Sequence, residues 1–221
     1  MKKFIFLMSG ILFSAAIFAQ LSLGVEATGS ITSATVKSKY DLDFNKDVQV
    51  RPSAAFVAQY DFSKRFAIRA GLGFSQLGVT AKYSEDEFGS STVRTRLNYI
   101  QLPVHAIYKT KAGSNMLYAG LGGYAGYGFG GEAKFTMWHY TDDGGYDVIE
   151  KLNPFKSVED GGADLERFDY GLSALAGLQL KNGIYIQVGY QHGLANIERD
   201  NDNTYRNRGI GLTVGYFFKR K

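Results

Sequence analysis

From Gln20 onward the chain alternates apolar with small or polar residues at period two, the spacing by which a strand separates its faces. The last such segment is the clearest. Ile210, Leu212, Val214, Tyr216 and Phe218 fall on one side, and Gly209, Gly211, Thr213, Gly215 and Phe217 on the other. Eight segments share the pattern: Leu21–Thr28, Ser53–Phe62, Phe66–Ser75, Tyr99–Tyr108, Leu117–Phe129, Tyr170–Leu180, Ile184–Tyr190 and Gly209–Phe218. In each, one face is oily. The other is built of Gly, Ser, Thr, Gln and Tyr with few charges.

The polarity of that second face decides the class. A soluble eight-stranded barrel would turn Lys and Glu toward water on its outer face. Small residues and hydroxyls suit the interior of a narrow barrel instead, where eight strands leave a lumen just wide enough for side chains. The oily face is then outward, against lipid, with Tyr60, Tyr108, Tyr127, Tyr170, Tyr190, Tyr216 and Phe218 near strand ends as interfacial girdles. The connections agree. Ser63–Arg65, Lys109–Asn115 and Lys181–Gly183 are short, the last carrying an Asn-Gly hairpin signal. Ser33–Gln49, Ser84–Val93, Thr136–Arg167 and Glu198–Tyr205 are long, and long and short alternate along the chain. The expectation is an all-β fold: an eight-stranded antiparallel up-and-down transmembrane β-barrel with short periplasmic turns and long external loops. Pro103 lacks an N–H in mid-strand, so a bulge is expected there. The inward charges Glu26, Asp61, Arg69 and Asp169 are expected to pair with one another or with trapped water.

Ahead of this domain, Met1-Lys2-Lys3 precedes an apolar run from Phe4 to Phe18 and a small residue, Ala19. The run is shorter than the ~20 residues of a membrane-spanning helix. It reads as a secretory leader, residues 1–19, removed to leave a barrel domain of residues 20–221. Composition narrows the picture further. There are 27 glycines, 15 tyrosines, 16 phenylalanines and no cysteine, which rules out a disulfide framework or a thiolate metal site. The formal charge of +4 falls to +2 once Lys2 and Lys3 leave with the leader, too little to support nucleic-acid binding.

The segments Asn98-Tyr99-Ile100-Gln101-Leu102-Pro103-Val104, Asp169-Tyr170-Gly171, Gly189 to Ile197, and Asn207-Arg208 followed by Gly215-Tyr216-Phe217-Phe218 resemble the PorT-like family of outer-membrane β-barrels. The likeness extends from about Leu21 to Phe218. It implies an eight-stranded barrel of the OmpX/OmpA general type in the outer membrane of a double-membraned bacterium, usually without assigned catalysis. The founding member is linked to a protein-secretion and gliding apparatus. The aromatic end formed by Gly215, Tyr216 and Phe218 resembles the signal read by the barrel-assembly machinery, though Lys219-Arg220-Lys221 trail it.

Candidate chemistry is sparse. His105 is expected in the lumen within reach of Ser173 or Glu26, but a lipid-trimming site must face the membrane, so a structural histidine is the expectation. His192 beside Glu198 reads as rim polarity, and His139 falls on a loop. Asp142 to Asp147, Asp160 to Asp164 and Asp200 to Asn203 are carboxylate clusters without a complete calcium-loop pattern. They read as turns. No phosphate loop, nucleophile elbow or zinc ligand set occurs, and no cofactor is expected. Trp138, Tyr140 and Phe155 give the third long loop adhesive side chains and make it the first place to seek a specific contact. The reading is a non-enzymatic barrel acting through its external loops. Its expected partners are outer-membrane lipids and lipopolysaccharide, the assembly machinery, and an envelope or extracellular protein. The alternatives are a narrow conduit of the OmpW class, a secretion accessory, and a lipid A-modifying enzyme.

Overall fold

The computed structural model describes residues 20–37, 45–85, 89–141, 144–200 and 202–218. The expected leader (residues 1–19), residues 38–44 and 86–88, Asp142, Asp143, Asn201 and the basic tail from Lys219 lie outside the described residues. The strands are β1 (Leu21–Lys37), β2 (Asn45–Asp47), β3 (Gln49–Tyr60), β4 (Phe66–Leu77), β5 (Thr80–Glu85) and β6 (Gly89–Ala112). After them come β7 (Asn115–Thr141), β8 (Gly144–Leu152), β9 (Phe168–Gln179), β10 (Ile184–Gly193) and β11 (Thr204–Phe217). Eight of these close a ring, β1-β3-β4-β6-β7-β9-β10-β11, which returns to β1 through Gly24↔Phe217 and its neighbours. Every pairing is antiparallel. The expected barrel is the observed one.

Both ends of the described chain lie at the rim that carries the three short connections. Gly113 (φ 63°) lets β6 turn into β7 within two residues, and Gly183 (φ 97°) follows Asn182 in the β9–β10 hairpin. At the opposite rim the strands outrun the sequence reading. β6 and β7 stay paired as far as Ser91↔Met137. Part of the third long connection is therefore ladder, and β8 adds to β7 through Ala133↔Leu152 to Thr141↔Gly144. β5 extends the β4–β6 pair, and β2 caps β5.

Side-chain parity matches the expectation. Phe56, Leu121, Leu172, Val188 and Leu212 stand on the outer surface, while Tyr99, Tyr185 and Ile107 are wholly buried in the lumen. Glycine makes that burial possible. Nearly every large inward side chain is paired across the ladder with a glycine: Tyr99 with Gly128, Ile107 with Gly120, Tyr118 with Gly177, Tyr124 with Gly171, Tyr185 with Gly215. A Cβ on Gly215 would stand 2.1 Å from the Tyr185 ring. The core is split into two apolar plugs. One, at the turn rim, joins Val57, Ala67, Ile107, Tyr118, Tyr185 and Phe217. The other, at the loop rim, gathers Leu97, Tyr99, Phe155, Leu165, Ile197 and Tyr205.

The bulge expected at Pro103 is not there. β6 keeps one register against β7 through Leu102, Pro103 and Val104, and the irregularity falls at Asn98/Tyr99, where Phe129 is the extra residue of β7. At Pro103 the β4–β6 ladder lapses instead, leaving Gly71 and Leu72 unpaired without a shift of register. Gly71 leaves room for the ring: a Cβ there would meet Pro103 Cγ at 3.2 Å. The missing donor is absorbed by omitting a ladder step rather than by inserting a residue.

Candidate functional site

Arg69 projects from the middle of β4 into the lumen and is 3% exposed. Its Nε and Nη2 donate to Gln59 Oε1 at 3.0 and 2.8 Å, and Nη1 donates to Gln187 Oε1 at 2.9 Å. The guanidinium also lies over the rings of Tyr118, Tyr185 and Phe217, 4.6, 4.9 and 5.2 Å from their centroids. One side chain thus ties β3, β4, β7, β10 and β11 together across the barrel axis. The expected direct pairing among inward charges holds for none of the four. Glu26 accepts from Tyr185 Oη at 2.7 Å, and Asp169 accepts from Asn207 Nδ2 at 2.9 Å. Asp61 binds Lys109 at 2.7 Å and Gln59 Nε2 at 2.8 Å. Amides and phenols from neighbouring strands thus meet Glu26, Arg69 and one oxygen of Asp169, while Asp61 takes a cation from β6.

The lumen also holds a cavity of about 110 Å³ of mixed lining, in which Thr28, Ser75, Gln101, His105, Ser173 and Gln187 stand beside Leu77, Pro103 and Leu175. His105 Nε2 does meet Ser173 Oγ, at 2.8 Å, but Glu26 is committed to Tyr185. His105 is 8% exposed and faces away from lipid. His192 does not engage Glu198: it is exposed at the loop rim, its Nδ1 3.2 Å from Tyr190 Oη.

The loop rim is closed by chain that folds inward. Asn153 to Arg167 forms a tight excursion through Gly161 (φ 70°) and Asp164 (φ 55°), anchored by Ala163 N to Asn153 O and Leu165 N to Pro154 O. It delivers Phe155 into the mouth, edge-on to Tyr99 at 5.8 Å and over Gly128, where a Cβ would lie 2.2 Å from the ring. Arg167 Nη1 donates to Gly128 O at 3.0 Å and the guanidinium stacks on Phe155 at 5.6 Å. Phe155 is 4% exposed, so its reading as an external contact is corrected. A large apolar side chain in a loop above a narrow mouth lowers its free energy by filling that mouth. Trp138 is on β7 opposite Asp147 and is partly exposed; Tyr140 pairs with Gly145. Gly215 serves the lumen, whereas Tyr216 and Phe218 face outward at the turn rim, their rings 5.8 Å apart.

The family model of the outer membrane protein beta-barrel domain matches residues 18–199. The chain belongs to that family. Among solved structures it is similar to OprG from Pseudomonas aeruginosa (12% identity, 91% of this chain and 98% of that one, TM-score 0.47). It is also similar to Ail, the attachment invasion locus protein of Yersinia pestis (14% identity, 89% and 99%, TM-score 0.42). A third likeness is to Neisserial surface protein A (14% identity, 89% and 97%, TM-score 0.40). No curated protein matches the sequence. Membership makes this an outer-membrane barrel, with the turn rim periplasmic and the loop rim external.

In this outer-membrane barrel two external segments hold each other. Arg199 Nη1 bonds Asp164 at 2.6 Å and its Nε bonds Glu166 at 2.9 Å, while Glu166 N donates to Ile197 O. Glu198 sits half-buried beside this clamp, bridged to Leu165. Loss of hydration, and then the charges of Asp200 and Asp164, push its carboxyl up to about 7 from 4.5. Carboxylate clusters at Asp160 and Asp200 do turn work: Asp160 N donates to Ser157 Oγ, and Asp200 accepts from Asp202 N and Asn203 Nδ2. Among the described residues no three acidic or histidine side chains gather as metal ligands. Sequence reading missed Arg69's amide partners and the Arg199 clamp, because neither follows from strand parity.

Two outcomes follow from this geometry. Arg69→Met in detergent-folded protein should lower unfolding stability by on the order of 3 kcal/mol in urea titration, since hydrogen bonds to a buried charge are lost. Arg69→Lys should restore less than half, because an ammonium cannot grip Gln59 through two nitrogens. A raised carboxyl lends stability in full below about pH 4.5 and loses it as pH rises through about 7. Amide exchange at Leu194–Arg199, corrected for intrinsic rate, should therefore be faster at pH 8 than at pH 6. Glu198→Gln should erase the difference.

Proposed function

We propose that this protein is a non-enzymatic outer-membrane barrel that acts through its external rim. In this reading it is exported by a leader cut after Ala19 and assembled with the aid of the outward Tyr216 and Phe218. The observation that carries it is the contrast between the two ends of the molecule's interior and its outer edge. The lumen is filled at two levels by apolar plugs and crossed by Arg69, a poor design for solute flow. The external rim is built out instead: β8 adds a strand to β7 beyond the ring, and the Arg199 clamp orders the segments beside it. Trp138, Tyr146 and Ile149 are exposed on that extension, aromatic and aliphatic groups of the kind enriched at contact surfaces.

His105 bound to Ser173 inside the lumen supports the non-enzymatic reading, since lipid has no approach to it. Within the family, the motifs around Pro103 and Gly189–Ile197 suggest a PorT-like branch, and an accessory part in a secretion apparatus is one form the rim's partnership would take.

Photo-crosslinking residues placed at Tyr146 and Ile149 in living cells should give discrete protein adducts, with none from a control position at Lys181. Purified barrel in planar bilayers should stay closed to ions. A stable conductance with no rim adduct would overturn the reading in favour of a conduit.

A further inference from the structure

The outer face of the barrel above its lipid belt carries a concentration of positive charge on three neighbouring strands. On β6, Arg94 and Arg96 share the parity of Ile100 and Leu102, which stand on the lipid-facing surface. The ladder sets Arg94 directly opposite Lys134 on β7, and Lys134 directly opposite Lys151 on β8. Three cations thus stand in one row across three strands, with Cβ atoms about 5 Å apart at each step. Like charges directly opposite one another destabilise a sheet. Arg51 has the inward parity of Ser53 on β3 and reaches the edge of the group from within the wall, held by Gln49 and by Gln76 Oε1 and Thr95 O at 3.4 Å each.

These residues line one surface cavity of about 280 Å³, five cations against a single carboxylate, Glu132. Glu132 is opposite Arg96 and already bridges to Lys151 at 3.5 Å. Among the described residues no other acidic side chain lines the cavity. The row therefore retains an excess of positive charge at short range.

Its height on the barrel identifies what supplies the anion. Arg96 is four residues beyond Ile100, about 13 Å along the strand and roughly 10 Å along the membrane normal for a strand tilted ~40°. Tyr127, opposite Ile100, and Phe129, the next outward residue of β7, are exposed aromatics that mark the interface just below the row. The cavity opens where headgroups of the outer leaflet lie, not in free solvent. We infer that the Arg94–Lys134–Lys151 row, with Arg96, is a binding site for the phosphate-bearing headgroup of an outer-leaflet glycolipid. Guanidinium groups grip phosphate through paired N–H donors, and the two ammonium groups neutralise its remaining charge. The site shares β8 with the rim contacts proposed above but rests on different side chains, Lys151 standing one same-face step from Ile149.

The test uses the barrel purified in detergent, stripped of lipid and titrated with bis-phosphorylated lipid A, dephosphorylated lipid A, or inorganic phosphate, with occupancy read by native mass spectrometry. The phosphorylated lipid should bind the natural chain at least ten-fold more tightly than the dephosphorylated form. Arg94→Gln/Lys134→Gln should lose that preference, while Lys181→Gln at the periplasmic turn keeps it. Thermal unfolding supplies a second readout: without lipid the double variant should melt no lower than the natural chain, because repulsion is relieved, and with lipid it should gain less. Equal binding of the two lipid forms, equal binding by the double variant, or saturation by inorganic phosphate alone would each overturn the assignment. So would a double variant that melts lower without lipid, since the cations would then be structural.

Discussion

The width of the lumen governs everything else in this molecule. Eight strands enclose so little space that a tyrosine from one strand fits only where its ladder partner offers no side chain. Tyr185 fills the room that Gly215 leaves, Tyr99 that of Gly128, and Tyr118 that of Gly177. Cross-strand pairing of a large ring with glycine converts a narrow tube into a packed core. The glycine richness of the chain is thus a packing requirement rather than a sign of flexibility.

A filled lumen also sets the electrostatics. A charge inside cannot be left to bulk water, and the wall offers amides and phenols at every second residue. Arg69 is held by two glutamines and three aromatic rings, and Glu26 by the hydroxyl of one of those rings. Tyr185 therefore links the acid to the base without their touching. The same closure at the mouth turns Phe155 from a loop residue into the stopper of the barrel, and leaves recognition to what projects beyond the ring.

The number, order and facing of the eight ring strands were legible in the sequence because period two survives along every membrane-crossing segment, as in Ile184–Tyr190. Turn positions were legible where glycine forced them, as at Asn182-Gly183. The reach of β6 and β7 beyond the hydrocarbon was not, because there the outward positions Arg94, Arg96 and Lys134 are charged rather than oily, although Thr95 and Ala133 stay buried on the inner face. The bulge at Phe129 was hidden for a related reason: glycines on both sides of it carry no facing signal. Pro103 offered a local clue that the neighbouring strand answered at Gly71. The fate of Phe155, and the partners of Arg69 and Arg199, depend on residues brought together from distant strands, which period and composition do not encode.

The central claim is the direction in which each face points. The natural chain has no cysteine, so single cysteines placed in turn from Ile184 to Tyr190 report only their own surroundings. Labelled with an environment-sensitive fluorophore in reconstituted vesicles, positions 184, 186, 188 and 190 should be quenched by a nitroxide carried on lipid acyl chains, and positions 185, 187 and 189 should not. Quenching at the second set in place of the first, or equal reactivity of both sets with a water-soluble maleimide, would contradict the account.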